Sequence, residues 1–155
     1  MFELIYVPGI LELFANTTPE EVGKRKLFVV LSSDKGLCGG IHSSVSKATR
    51  AAIKGVDPES PIMIIGDKSK AQLSRALPQN LALTFNQIGR DIPTFADAAA
   101  VADLILKSGA KYDSIVIVYN KFVSALSFEA ASTEVQTEAS LREAREWIPP
   151  VIGIR

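Results

Sequence analysis

The segment Lys26–Gly40, "KLFVVLSSDKGLCGG", decides the fold class because it joins an apolar run to a glycine-rich turn. The run "LFVVL" is continuous rather than alternating, which is typical of a parallel strand covered on both faces. The segment "IHSSVSKATRAAIKG" follows, and its apolar residues recur at helical spacing until Gly55 ends the pattern. A strand, a glycine turn and a helix in this order predict an α/β sheet.

The same unit recurs along the rest of the chain. The pattern predicts strands near residues 27–33, 61–66, 82–86 and 114–120, and helices near 40–54, 67–77 and 94–108. A fifth strand is predicted near 122–128, antiparallel to the fourth after a close turn at Asn120–Lys121. The predicted fold is therefore an open, doubly wound, mostly parallel five-stranded sheet, Rossmann-like and three layers deep, with an antiparallel last strand.

Local signals refine four places in this prediction. Thr94 and Asp97 stand three apart, as in a capping box with Asp in place of Glu, and predict the start of the third helix. Asp67 is predicted to cap the second helix. The segment "NTTPEE" at 16–21 predicts another helix start, and residues 132–146 are polar and compatible with a helix.

Composition excludes several classes of function. The 155 residues are 47% hydrophobic, with 17 basic and 17 acidic side chains, so no net charge recruits nucleic acid or an anionic membrane. No apolar run approaches the ~20 residues of a membrane helix, so direct membrane insertion is not expected. Cys38 is the single cysteine, which rules out an internal disulfide, and one cysteine with one histidine is too few for a Cys/His zinc site.

The turn after the first strand leaves more than one interpretation open. Ligands of such sheets bind beyond the carboxyl ends of the strands, so the Asp34–Gly40 turn is the place for a nucleotide or another small ligand. Its glycines miss both the dinucleotide and the P-loop spacings, and Asp34 would place a carboxylate where a phosphate should sit. Cys38 is interpreted as a small, buried packing residue, and His42, four residues further on, as a solvated or capping residue, rather than as a nucleophile and its base. No catalytic, cofactor-binding or metal-binding residue is predicted.

The quoted turn also carries a family resemblance. "LSSDKGLCGGIHSSVSK" resembles the segment that marks the gamma subunit of F-type rotary ATP synthases. Three further matches follow in order, "IIGDKSKAQLSR", "IGRDIPTFADAAAVAD" and "VYNKFVSALSFEA", so that the resemblance covers Lys26–Ala130. It implies a non-catalytic rotor subunit of the central stalk that couples proton-driven rotation to ATP synthesis.

The resemblance also implies partners and a location. They are the alpha and beta subunits of the catalytic head, the small central-stalk subunit and the membrane c-ring, at the matrix side of the mitochondrial inner membrane. In the family the α/β domain lies between two long helices, whereas "MFELIYVPGILEL" and "REWIPPVIGIR" stand here in their places. We therefore expect an atypical segment at 1–23, the α/β domain at 24–131 and an atypical tail at 132–155. The candidate subunit-interface residues are Ser33, Asp34, Lys35, Gly36, Leu37, Cys38 and Gly39.

Overall fold

The computed structural model describes residues 25–36, 39–89, 92–124 and 127–137. Within these ranges the chain forms five strands and three helices. In chain order they are β1 (Lys26–Leu31), α1 (Gly39–Lys54), β2 (Ile62–Ile65), α2 (Asp67–Ala76), β3 (Leu81–Phe85), α3 (Phe95–Lys107), β4 (Ser114–Ser124) and β5 (Ser127–Gln136).

The five strands form one sheet in the order β3-β2-β1-β4-β5. The continuous apolar strand β1 lies at the centre, where Val29 pairs in parallel with Met63 of β2 on one side and Ile117 of β4 on the other. Strand β3 adds in parallel beside β2, and β5 adds in antiparallel beside β4. The fold class predicted from the sequence is therefore confirmed.

Side chains of β1 alternate between the two faces of the sheet and build a separate apolar core on each. Phe28 and Val30 point to one face, where they pack with residues of α1 and α2 such as Val45 and Leu73. The opposite core is smaller and is closed by α3; its buried residues are Leu27, Val29, Met63, Val101 and Ile105. Because helices cover both faces, a strand without polar alternation is stable at the centre of the sheet.

The prediction for the last strand was wrong in its position. β4 continues to Ser124 instead of turning at Asn120–Lys121, and β5 begins at Ser127 rather than near 122. Asn120 lies within β4, and its side-chain amide donates to the carbonyl of Ile41 at 2.9 Å. The cross-strand pair Phe122 and Phe128 then extends the hairpin beyond the rest of the sheet.

The helix-compatible segment predicted at 132–146 is also wrong where the structure describes it. Residues 132–136 belong to β5, which crosses the domain boundary expected after residue 131. Glu134 explains this pairing, since its carboxylate binds Lys26 Nζ at 2.7 Å and accepts from Ser114 Oγ at 2.6 Å. The predictions for residues 1–23, including the helix start at 16–21, and for 138–155 lie outside the described residues.

Two helix starts test the capping predictions. The Thr94 side chain accepts from the backbone of Asp97 while the Asp97 carboxylate accepts from the backbone of Thr94, so the capping box is confirmed. Asp67 is not a cap: Gly66 occupies that position, and no side chain of the helix caps it. The carboxylate that accepts the Asp67 N–H comes instead from Asp34, at the end of β1.

Candidate subunit-interface site

The candidate site lies at the carboxyl edge of the sheet, where β1 runs into the glycine turn. Ser33, Asp34, Lys35 and Gly36 form the described part of this turn, and Gly39 opens α1. The other two predicted residues, Leu37 and Cys38, lie outside the described residues. The structure therefore brings four of the seven candidates together in one turn and places a fifth at the start of the adjoining helix.

Asp34 joins the ends of three neighbouring strands. Its Oδ1 accepts from the backbone N–H of Asp67, at the start of the helix after β2, at 3.1 Å. Its Oδ2 accepts from the backbone N–H of Gln87, in the turn after β3, at 2.6 Å. Gln87 has a φ of 59°, a left-handed conformation that is uncommon outside glycine and that this bond helps to hold. The next two N–H groups of α2 are also bound within the chain, to the Ser33 carbonyl at 3.2 Å and to the Ser32 hydroxyl at 3.3 Å, so this helix end has few donors left for a phosphate.

A second close contact joins Ser32 to Gly66 beneath the turn. The Ser32 hydroxyl lies 3.1 Å from the carbonyl of Ile65 and 3.2 Å from that of Gly66, and it accepts from the N–H of Ser69 at 3.3 Å. Gly66 has a φ of 102°, and a Cβ built there would lie 2.7 Å from the carbonyl carbon of Ser32. The approach of β1 to the start of α2 therefore requires glycine at this position.

His42 supports the turn from below. Its side chain, on the first turn of α1, is only 5% exposed, so the expectation of a solvated histidine was wrong. The ring is buried beneath the turn, where its Nε2 lies 3.4 Å from Ser33 Oγ. Gly36 has a φ of 135°, and a Cβ built there would be in ordinary van der Waals contact with the same nitrogen, at 3.6 Å. Burial, and then the charge of Lys68, lower the pKa of His42 below its ordinary value of 6.5. A neutral, buried imidazole in this position is a packing element of the turn.

The hairpin end of β4 and β5 completes the same edge of the sheet. Ser44 Oγ lies 2.9 Å from Asn120 Oδ1, and this bond helps to fix α1 against β4. A Cβ on Gly40 would lie 3.8 Å from the ring of Phe128, so β5 also reaches the start of α1. Beyond these contacts Phe122 is 74% exposed and Val123 is 54% exposed. Sequence reasoning missed this apolar tip, because the expected turn at Asn120 assigned these residues to a separate strand.

The described part of the site offers hydrogen bonds and apolar contact. Across the described ranges no group of three His, Cys, Asp or Glu side chains is arranged to hold a metal ion. In the same ranges none of the helices has the length and apolar character needed to cross a bilayer. Ser32 and Asp34 are bound to the start of α2, Asp34 also binds the turn after β3, and Ser33 Oγ donates to the Lys35 carbonyl. This fixed arrangement suits a rigid surface presented to another molecule.

The fold and the carboxyl edge of the sheet define a class of protein. It is a doubly wound α/β domain in which Asp34, in the glycine turn, is hydrogen-bonded to the segments that follow β2 and β3. Residues 9–147 match the family model described as ATP synthase. The chain belongs to that family, and the curated relatives it matches are gamma subunits.

Two curated relatives illustrate the extent of the match. The chain is 43% identical over 130 residues to the mitochondrial ATP synthase subunit gamma of Pichia angusta, covering 84% of this chain and 48% of that protein. It is 38% identical over 130 residues to the mitochondrial F(1) complex subunit gamma of Rattus norvegicus, covering 81% of this chain and 48% of the relative. The chain thus spans about half the length of the curated relatives it matches.

Solved structures show the same fold. The central stalk and c-ring structure of Tetrahymena thermophila mitochondrial ATP synthase contains a chain with a TM-score of 0.75 and 26% identity, covering 98% of this chain and 70% of that one. The rotor of Euglena gracilis mitochondrial ATP synthase gives a TM-score of 0.68 at 19% identity, over 80% of this chain and 43% of that one, and shows the fold alone.

Proposed function

We propose that this chain is the globular domain of a central-stalk rotor subunit of mitochondrial ATP synthase. The family match over residues 9–147 is the observation that carries the proposal. The Tetrahymena neighbour, whose structure is described as central stalk and c-ring, adds support over 98% of the chain. In this role the domain contributes no catalytic group, and it couples proton-driven rotation to the ATP synthesis performed by the head.

The proposal extends to partners and location. The partners are the alpha and beta subunits of the catalytic head, the small central-stalk subunit and the membrane c-ring, and the complex lies on the matrix side of the inner mitochondrial membrane. The names of the gamma relatives and of the stalk structures support this assignment. The chain then acts as a peripheral protein that reaches the membrane through the c-ring.

The contact that we assign to the stalk is the carboxyl edge of the sheet. It combines the Ser33–Gly39 turn with the hairpin tip of Phe122 and Val123. The turn is fixed by internal hydrogen bonds of Asp34 and Ser32, and the tip exposes large apolar side chains beside it. A rigid polar turn next to an exposed apolar tip matches the mixed composition of protein interfaces.

Binding to purified stalk components tests the proposed function. The 155-residue chain is immobilised, and the small central-stalk subunit, the c-ring and the catalytic head are passed over it separately. We expect saturable binding of the small stalk subunit, weakened when Phe122 is replaced by serine and unchanged when the exposed Lys54, at the far end of α1, is replaced by serine. Absence of binding to all three components by the folded chain would contradict the proposal.

A further inference from the structure

The two ring nitrogens of His42, the single histidine of the chain, have different surroundings. Nε2 lies 3.4 Å from Ser33 Oγ, at the inner side of the glycine turn. Nδ1 is buried, and among the described residues it has no hydrogen-bond partner. The charge state of the ring therefore depends on which of the two nitrogens carries a proton.

The Ser33 hydroxyl determines where that proton lies. A hydroxyl has one hydrogen to donate, and Ser33 Oγ donates it to the carbonyl of Lys35 at 2.6 Å. Towards His42 the same oxygen can only accept, so the hydrogen between the two side chains belongs to Nε2. The neutral ring is therefore the Nε2–H tautomer, and Nδ1 carries a lone pair.

The site does not accommodate a charged form of this ring. The second proton would go to Nδ1, and a buried N–H without an acceptor is unfavourable, most of all in a cation. Lys68, on the first turn of α2, adds a positive charge near the ring. Protonation of His42 is therefore disfavoured as long as the ring keeps the position that it has in the structure.

No described carboxylate offsets this cost. Both oxygens of the Asp34 carboxylate are already bound to backbone N–H groups of other segments. Burial and Lys68, rather than any acidic side chain, shift the pKa of His42. Besides Lys68, the charged residues of the elements around the ring are Asp34 and Lys35 of the turn, Lys47 of α1, Asp67 and Lys70 of α2, and the cross-strand pair Lys121 and Glu129 of the hairpin.

The ring can gain its second proton only by leaving this position, and its departure removes contacts of the turn. Ser33 Oγ loses the Nε2–H donor, and Gly36 loses the ring that lies within van der Waals distance of its Cβ position. We propose that His42 is a pH-dependent switch of the Ser33–Gly36 turn. The neutral ring holds the turn in the arrangement described above, and a ring that takes a proton from solvent at Nδ1 moves out and releases it.

Proton linkage sets the size and direction of the effect. The released ring has the ordinary histidine pKa of 6.5, whereas the pKa of the buried ring is lower. The ratio of released to closed turn should therefore rise as the pH falls, by up to about tenfold between about pH 7.5 and about pH 5.5. The switch concerns the turn of the isolated chain, so it does not rest on the proposed function.

Nuclear magnetic resonance of the full ¹⁵N-labelled chain tests both the tautomer and the switch, since one histidine gives one set of ring signals. At about pH 7.5 the ring should be the Nε2–H tautomer. Between this pH and about 5.5 the amide resonances of Ser33 and Gly36 should shift with the midpoint of the ring signals, while that of Met63, in β2, should not. An Nδ1–H tautomer, turn amides that do not respond, or an equal response of Met63 would each overturn the proposal.

Three variants separate the switch from a general effect of pH. Lys68→Gln removes the positive charge near the ring and should move the common midpoint to higher pH. Lys70→Gln makes the same substitution on another side of α2 and should leave the midpoint unchanged. His42→Gln retains a donor towards Ser33 but does not titrate, so the turn amides should no longer respond. Equal midpoints in Lys68→Gln and Lys70→Gln, or a response that persists in His42→Gln, would refute the switch.

Discussion

The Asp34 carboxylate, after β1, accepts a hydrogen bond of 2.6 Å from the backbone N–H of Gln87, after β3. Strand β2 lies between these two strands in the sheet, so the bond spans the end of β2. The other oxygen of the same carboxylate holds the N–H of Asp67. Asp34, which the sequence places in a candidate ligand-binding turn, thus stabilises the fold through hydrogen bonds to two other segments of the chain. This relationship is the reason that we assign the turn to a rigid docking surface.

Removal of the Asp34 carboxylate should destabilise the domain. Asp34→Ala leaves both N–H groups without their charged acceptor, and because the site is partly open to water we expect a loss of about 1–2 kcal/mol in the free energy of unfolding. Lys35→Ala, at the exposed neighbouring position, should change it by less than about 0.5 kcal/mol. Urea denaturation followed by circular dichroism measures both variants, and equal stability of Asp34→Ala and the parent chain would contradict the assignment.

Two glycines with positive φ should respond differently to alanine. Gly66→Ala places a Cβ 2.7 Å from the Ser32 backbone, whereas Gly109, with a φ of 70°, has no heavy atom within 4 Å of the corresponding position. Gly109→Ala should therefore cost only the left-handed strain of about 1 kcal/mol, and Gly66→Ala at least about 2 kcal/mol more. The difference between their unfolding free energies measures the close approach of β1 to α2, and equal costs would show that no such approach exists.

The sequence was sufficient for most of the fold because its signals are local and agree with one another. The continuous apolar run of β1 requires cover on both faces, and the capping pair Thr94 and Asp97 fixes the start of α3. The last hairpin was misplaced because Asn120 has the chemistry of a turn residue. Its amide binds the carbonyl of Ile41 instead, 79 residues away in sequence, and no local pattern reports such a partner.

The candidate site was predictable in position but not in its contacts. Parallel strands place the Ser33–Gly36 turn at the ligand-binding edge of the sheet, and the glycine spacing argued against a phosphate. The expectation that Asp67 caps α2 was wrong because Asp34 supplies the carboxylate from the neighbouring strand. The exposed hairpin tip at Phe122 was not predicted, because it forms only when β4 continues to Ser124. Long-range pairing of this kind depends on tertiary structure, which propensities do not encode.

The buried imidazole of His42 should make stability depend on pH. Burial and Lys68 lower its pKa in the folded state below 6.5, so the unfolded chain binds this proton more readily. The free energy of unfolding should therefore fall as the pH decreases through 6.5 toward the lower folded pKa, and should be unaffected by this group above about pH 7.5.

The His42→Gln variant provides the control for this pH effect. It should lose that part of the slope between about pH 7.5 and 5.5, although its stability at pH 7.5 also changes through packing. Urea titrations at several pH values measure the slope. An identical slope in the parent chain and in His42→Gln would show that the histidine does not titrate as proposed.

A nucleotide titration tests the alternative interpretation, in which the Asp34–Gly40 turn binds a nucleotide. ATP or NADH titrated into the ¹⁵N-labelled chain should leave the amide resonances of Gly36, Gly39 and Gly40 unchanged, because the glycine spacing does not fit a phosphate and Asp34 places a carboxylate in the same turn. The Asp34→Asn variant serves as the comparison, since it removes that charge at nearly constant shape. Saturable shifts in the parent chain at micromolar nucleotide would favour the alternative.

Substitution of Leu37 tests the docking role of the turn itself. We place residues 24–137 of this chain, which include all of β5, into the Pichia angusta gamma subunit in exchange for the matching segment. Leu37→Asp in this chimera should strongly weaken assembly, because a buried charge without a partner costs several kcal/mol. Cys38→Ser should weaken it by only about 1–2 kcal/mol, as expected for a hydroxyl in an apolar contact. The amount of chimera that co-purifies with the catalytic head measures both effects, and full assembly of Leu37→Asp would refute a buried role for this residue.

The unsubstituted chimera tests the central claim most directly. The measurement is ATP synthesis driven by a proton gradient in mitochondria whose only gamma subunit is the chimera. If residues 24–137 form a rotor-stalk domain, the chimera should assemble with the head and the c-ring and should restore synthesis that is sensitive to an uncoupler. A chimera that folds and accumulates but neither assembles nor restores synthesis would contradict the account.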